Sequence, residues 1–125
     1  MPMKRLIYDE PQPISRDEAS SAFATNKPEV ICSALVAVAL HDPDWRWAQE
    51  KCLEFARHSD ATVRQIAATC IGHVARIHQT LDLDAVRPVL HQLLSDPEVY
   101  VKGCAEDAIS DVKVFMKVDL NENDS

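Results

Sequence analysis

The sequence predicts an all-α protein of six helices, paired as three helical hairpins. Three observations lead there. Hydrophobic residues make up 46% of the 125 residues but aromatics only 6%, and alanine is abundant. That mixture suits close-packed helices better than a β-sandwich, which draws on aromatic and β-branched side chains. No stretch alternates apolar and polar residues between turn signals, as a half-buried strand does. Two segments in the second half of the chain repeat one apolar spacing with the 3.6-residue period of a helix face. The length is that of one domain, and the apolar content argues against wholesale disorder.

The elements follow in chain order. Residues 1–14 carry Pro2, Pro11 and Pro13 and read as an extended arm with a small apolar cluster at Leu6, Ile7 and Tyr8. Ser15 and Glu18 stand at capping-box spacing and open a short helix that ends near Ala24. Thr25-Asn26-Lys27-Pro28 is a turn, and the second helix covers about residues 29–40. Asp42-Pro43 is a start signal, with aspartate as N-cap and proline at the first helical position, for a helix over about 44–57. His58-Ser59-Asp60 breaks the chain, and Asp60 caps a helix over about 61–78. After a link at 80–84, a helix over about 85–94 holds Pro88 in its first turn or just beyond. Ser95-Asp96-Pro97 repeats the start signal for a last helix over about 98–116. Residues 15–116 thus form the helical domain, followed by a polar, acidic tail at 117–125 that is expected to fray.

The second helix of each pair carries a shared pattern. Counted from Val63, the apolar residues are Val63, Ile66, Ala67, Cys70, Ile71, Val74 and Ile77; counted from Val101 they are Val101, Cys104, Ala105, Ala108, Ile109, Val112 and Phe115. Both sets fall at offsets 0, 3, 4, 7, 8, 11 and 14. A looser first copy starts at Val30 and keeps Ala34, Ala37 and Val38 but has Ser33 and His41. Alanine at offset 4 in all three copies implies a close helix contact that excludes larger side chains.

The run from Val86 to Pro97, followed by Val101, Lys102 and Ala105, resembles a HEAT repeat, and so does the run from Asp60 to Gly72. The resemblance covers about residues 15–116, strongly in the last two copies and weakly in the first. The middle copy departs from the family pattern by lacking a first-helix proline. The resemblance implies a right-handed α-α superhelix of about three hairpins, a proline-kinked first helix, and an aspartate of the turn that meets an arginine or lysine of the second helix. Stacking agrees with the physics, since one hairpin cannot bury its apolar face alone and about three repeats are needed for stability.

In such stacks the second helices line a broad face on which partners dock. Residues between the core offsets, at 1, 5 and 9 and at 2, 6 and 10, are assigned to it. The first copy supplies Ile31, Leu35, Ala39, Cys32, Val36 and Leu40. The second supplies Arg64, Ala68, Gly72, Gln65, Thr69 and His73, with Arg76 beyond them. The third supplies Lys102, Glu106, Ser110, Gly103, Asp107 and Asp111. The face passes from apolar through mixed to acidic. The candidate partner-binding residues are Arg64, Thr69, His73 and Arg76 of the second copy and Lys102, Glu106, Asp107, Ser110 and Asp111 of the third. The run from Val30 to Leu40 is apolar all round and requires a cover, supplied by the N-terminal arm, by a second copy or by a partner. A monomer and a homodimer both remain open. Trp45 and Trp47 are two apart and cannot share one helix face, so one is expected in the core and the other at the surface; Tyr100 has the same two readings.

Charge and motifs bound the function. The net charge of -7 argues against nucleic acid, because phosphate binding needs a basic surface. Residues 96–125 hold eight acids and three lysines, which suits a basic partner or simply a solvated surface. Cys32, Cys52, Cys70 and Cys104 form no CxxC pair and read as small core residues in a reducing compartment. No metal or cofactor is expected: Cys70 and His73 have ligand spacing but no second pair. No phosphate loop or nucleophile elbow occurs. The His-Glu dipeptides of HEAT-like hydroxylases are missing, and HEAT-like base glycosylases need a basic groove. Met1 to Tyr8 carries two basic residues but no apolar h-region follows, so no signal peptide is expected, and the longest apolar run, Val30 to Leu40, is too short for a membrane span, so a cytoplasmic location is expected. The expected function is a non-enzymatic protein-binding module, in its concrete form an immunity protein covering a basic toxin such as a nuclease. The alternatives are an accessory or chaperone scaffold and a small-ligand protein similar to bilin lyases.

Overall fold

The computed structural model describes residues 12–117, and every regular element among them is a helix. The order is α1 (Arg16–Ala24), α2 (Pro28–His41), α3 (Trp45–Phe55), α4 (Ala61–His78), α5 (Leu83–Leu93) and α6 (Val99–Met116). Consecutive helices pack as pairs, and α4 lies between α2 and α6 as the middle of the molecule. The arm cluster at Leu6, Ile7 and Tyr8 and the tail from residue 118 lie outside the described residues.

Local chemistry sets the ends. Ser15 and Glu18 form the reciprocal capping box, with the Glu18 amide donating to Ser15 Oγ at 3.0 Å and the Ser15 amide to Glu18 Oε1 at 2.9 Å. Asp60 caps α4 by accepting from the amides of Thr62 and Val63. The two Asp-Pro signals work differently from the expectation. Asp42 is not the N-cap of α3; Asp44 is, and Asp42 Oδ1 accepts from the Asp44 amide at 2.8 Å. Asp96 likewise accepts from the Glu98 amide at 3.0 Å, and Glu98 occupies the cap position of α6. In both places the aspartate makes a side-chain turn that aims the chain into a helix starting two residues later than it would if the aspartate were the cap. The helix α5 begins at Leu83, inside the expected link, and Pro88 sits just beyond its first turn, within the range expected.

Polar contacts tie each hairpin to the next at a nearly constant sequence separation. Arg16 donates to Asp44 at 3.0 Å (28 residues apart), Gln49 accepts from the Asp82 amide at 2.7 Å (33 apart), and Arg64 grips Asp96 at 2.8 and 3.1 Å (32 apart). His58 lies 3.3 Å from Asn26, again 32 residues away. This is the signature of stacked units that contact their neighbours in register.

The shared apolar offsets are largely buried. Val63, Ala67, Cys70, Ile71 and Val74 are all 0% exposed, as are Val101, Ala105 and Val112. Ile66 and Cys104 at offset 3 are half-buried against the core. Ile77 is a correction: at 41% exposure it lies beyond the stack instead of in it. Neither tryptophan is fully buried, against the expected split. Trp47 packs on Phe23 beneath the Arg16 guanidinium, which lies 4.3 Å from its ring centroid, and Trp45 lies under Arg46 at 4.7 Å. Tyr100 is 74% exposed and is no part of the core.

Candidate protein-binding surface

The nine candidate residues separate into distinct environments. The row at offsets 1, 5 and 9 is not an open face. Ile31, Leu35, Ala39 and Ala68 are 0% exposed, and Gly72 is buried. A Cβ on Gly72 would lie 2.6 Å from Asp111 Oδ2 and 3.5 Å from Ala108 Cα, so this row of α4 is pressed against α6. The row is the contact between one second helix and the next. It opens only at Lys102, Glu106 and Ser110, because α6 is the last helix of the described stack. Polar residues there do what a terminal unit must, which is to end the stack with a surface that water tolerates.

Arg64 occupies this row as a link between hairpins. Its Nε and Nη2 donate to Asp96, and its Nη1 donates to the carbonyls of His58 and Ser59 at 3.0 and 2.9 Å. The guanidinium holds the Asp96 carboxyl below its ordinary range, chiefly by hydrogen bonding, and the carboxylate in turn raises Arg64. With its donors used internally, Arg64 is anchored inside the molecule.

The open face lies along offsets 2, 6 and 10. Cys32, Val36 and Leu40 of α2, Gln65, Thr69 and His73 of α4, and Gly103 and Asp111 of α6 are half-buried on it, and Asp107 is exposed. The passage from apolar to acidic survives on this row. Arg76 is exposed beside it, with Nη2 3.1 Å from His73 Nδ1. Burial pushes His73 below its ordinary value, the Arg76 charge adds to that, and Asp111 opposes it. A neutral His73 accepting from Arg76 fits this arrangement.

Along α6, exposed apolar residues accompany the acids. Val99 is 68% exposed and Val114 65%. Tyr100, Gly103, Asp107, Ser110 and Val114 follow a 3-4-3-4 spacing and share one face, turned away from the buried row. Val99 and Val114 were not placed on the exposed surface by pattern reading, which sorted residues by their place between core offsets and assigned Gly103 to the face without making it a candidate. The signal available was an aromatic and two valines outside the apolar offsets of an otherwise regular helix.

Elsewhere, Cys52 and Cys70 meet between α3 and α4, both buried, and the hydrogen bond with Cys52 together with burial pushes the Cys70 thiol well up, so Cys70 is a protonated packing residue. No group of three or more histidine, cysteine or acidic side chains is placed to hold a metal ion among the described residues. No helix among them is long and apolar enough to cross a membrane.

No protein-family model matches the chain, and no curated protein does. The chain is similar to a chain in the crystal structure of a CDI complex from Cupriavidus taiwanensis, with 31% sequence identity over 90% of this chain and 98% of that one, at a TM-score of 0.77. Identity at that level, extending over nearly the whole of both chains and matched by the helical architecture, places this protein in the same family as that component of the Cupriavidus taiwanensis CDI complex.

Proposed function

We propose that the protein is the immunity component of a contact-dependent inhibition pair, a small HEAT-like stack that neutralises a basic toxin by binding it in the cytoplasm. The observation that carries this reading is the near full-length similarity to a chain of a CDI complex. The charge supports the inhibitor side of such a pair. A net charge of -7, with Glu106, Asp107 and Asp111 on the open and terminal surfaces of α6, suits a basic partner such as a nuclease. Complementary charge speeds encounter and rejects like-charged partners. The helical scaffold supports it too, because a stack tied at constant register holds a broad surface rigid and keeps the ordering cost of binding low.

The test is co-expression with the polypeptide encoded beside this chain. The wild-type chain should relieve growth inhibition by that polypeptide and form a stoichiometric complex with it by size-exclusion chromatography. Association should slow as salt rises, since screening acts within about 8–10 Å at ordinary ionic strength. Growth inhibition that persists, with no complex formed, would refute the reading.

A further inference from the structure

Only two glycines occur in the sequence, Gly72 and Gly103, and both lie inside long helices. Glycine is the poorest helix former after proline, so a glycine in mid-helix needs a reason. Gly72 has one inside the molecule, because α6 closes over it. Gly103 has none there: a Cβ at that position would meet no atom within 4 Å. It interrupts α6 in the middle of the exposed stripe, with Tyr100 three residues before it and Asp107 four after. Tyr100 at 74% exposure and Val114 at 65% are large apolar groups that the protein's own core does not use. A bare patch of helix backbone flanked by an exposed aromatic, a valine and carboxylates is the form that suits close approach by another main chain.

We infer that the basic toxin docks along the α6 stripe, with its main chain seated on Gly103, Tyr100 as the apolar anchor, and Asp107 with Glu106 pairing its cations. The inference rests on the immunity reading and names the surface that performs it. The occupant is a basic protein rather than a second acidic copy, because Asp107 on the stripe and Glu106 beside it are carboxylates that two copies would bring together.

The experiment measures affinity of the full-length chain for the purified polypeptide encoded beside it, comparing wild type with Gly103→Ala, Gly103→Leu, Tyr100→Ala and the distant exposed control Glu50→Ala. Thermal melting of each variant is followed in parallel. Open space at Gly103 means that Gly103→Ala and Gly103→Leu melt at or above the wild-type temperature. Binding should fall about tenfold in Gly103→Ala and about a hundredfold in Gly103→Leu, and about tenfold or more in Tyr100→Ala, while Glu50→Ala binds as wild type. Should Gly103→Leu melt early, Gly103→Ala and Tyr100→Ala carry the decision. Wild-type affinity in all three stripe variants would remove the stripe and leave the immunity reading standing. Failure of the wild-type chain itself to bind would remove both. A wild-type dimer that Gly103→Leu makes monomeric, with partner binding unchanged, would assign the stripe to a second copy and overturn the inference.

Discussion

Arg64 joins two hairpins through one guanidinium that serves a carboxylate and two carbonyls at once. Its side chain is 17% exposed and that of Asp96 7%, so removing either partner strands polar groups that water reaches poorly. Arg64→Ala should lower stability by about 2–4 kcal/mol, seen as a shifted urea midpoint with an unchanged slope. The pair also gives stability a pH dependence with a definite sign. Because Asp96 is held below the ordinary aspartate value of about 3.9, the unfolded chain takes up this proton first as pH falls. The contribution is therefore complete above the unfolded value and is lost as pH drops through the depressed folded one. Urea midpoints at pH 7 and pH 3 should converge in Asp96→Asn relative to wild type; an unaltered gap would mean that other carboxylates carry the acid sensitivity.

At the scale of the element, one helix design is used three times with different neighbours. Ala67 and Ala105 stand at the shared offset 4 and are 0% exposed. Ala67→Leu and Ala105→Leu should each destabilise by about 1–3 kcal/mol through overpacking, checked by denaturation midpoints. The row at offsets 1, 5 and 9 shows how position in the stack, not helix chemistry alone, decides exposure. It is apolar on α2 and, past the internally paired Arg64, small on α4, where another second helix covers it, and polar on α6, where none of the described helices does. The same reasoning predicts that Glu106→Lys with Asp107→Lys leaves the melting temperature nearly unchanged, since both side chains are exposed at the end of the stack. The double reversal should weaken partner binding at low salt and less so at high salt, measured by titration calorimetry.

At the scale of the whole molecule, the two ends of the stack differ. The α6 end presents the polar row of Lys102, Glu106 and Ser110 beside exposed Tyr100 and Val114, while the α1–α2 end holds a groove of about 610 Å³ lined mainly by Ile14, Ala22, Val30, Ala34 and Ala37, with Gln12, Glu18, Glu29 and Ser33 completing it. The chain enters the described structure at this groove, after eleven residues that include Leu6, Ile7 and Tyr8. Removing residues 1–11 should raise binding of an environment-sensitive dye and promote self-association, because an apolar groove of this size is normally covered. An equally stable, monomeric truncation with unchanged dye binding would mean that the groove needs no cover from this segment.

The helices themselves were legible in the sequence because their causes are local. Ser15 with Glu18 writes a capping box, Asp60 writes a cap, and the offsets from Val63 and Val101 write a buried face, each within a few turns of one helix. The acidic character of α6 was legible for the same reason, since charge is a property of composition. What the tertiary structure decided is which residues between the core offsets are free. Arg64, Ala68 and Gly72 look alike in pattern to Lys102, Glu106 and Ser110, yet the first three are taken up by the neighbouring helix and by Asp96 while the last three face water. Gly72 and Gly103 are equally glycine in the sequence, and only the presence of α6 over one and open space over the other separates a packing residue from one on the open surface. Periodicity reports the angle of a side chain on its own helix; what stands opposite that angle is a property of the assembled stack.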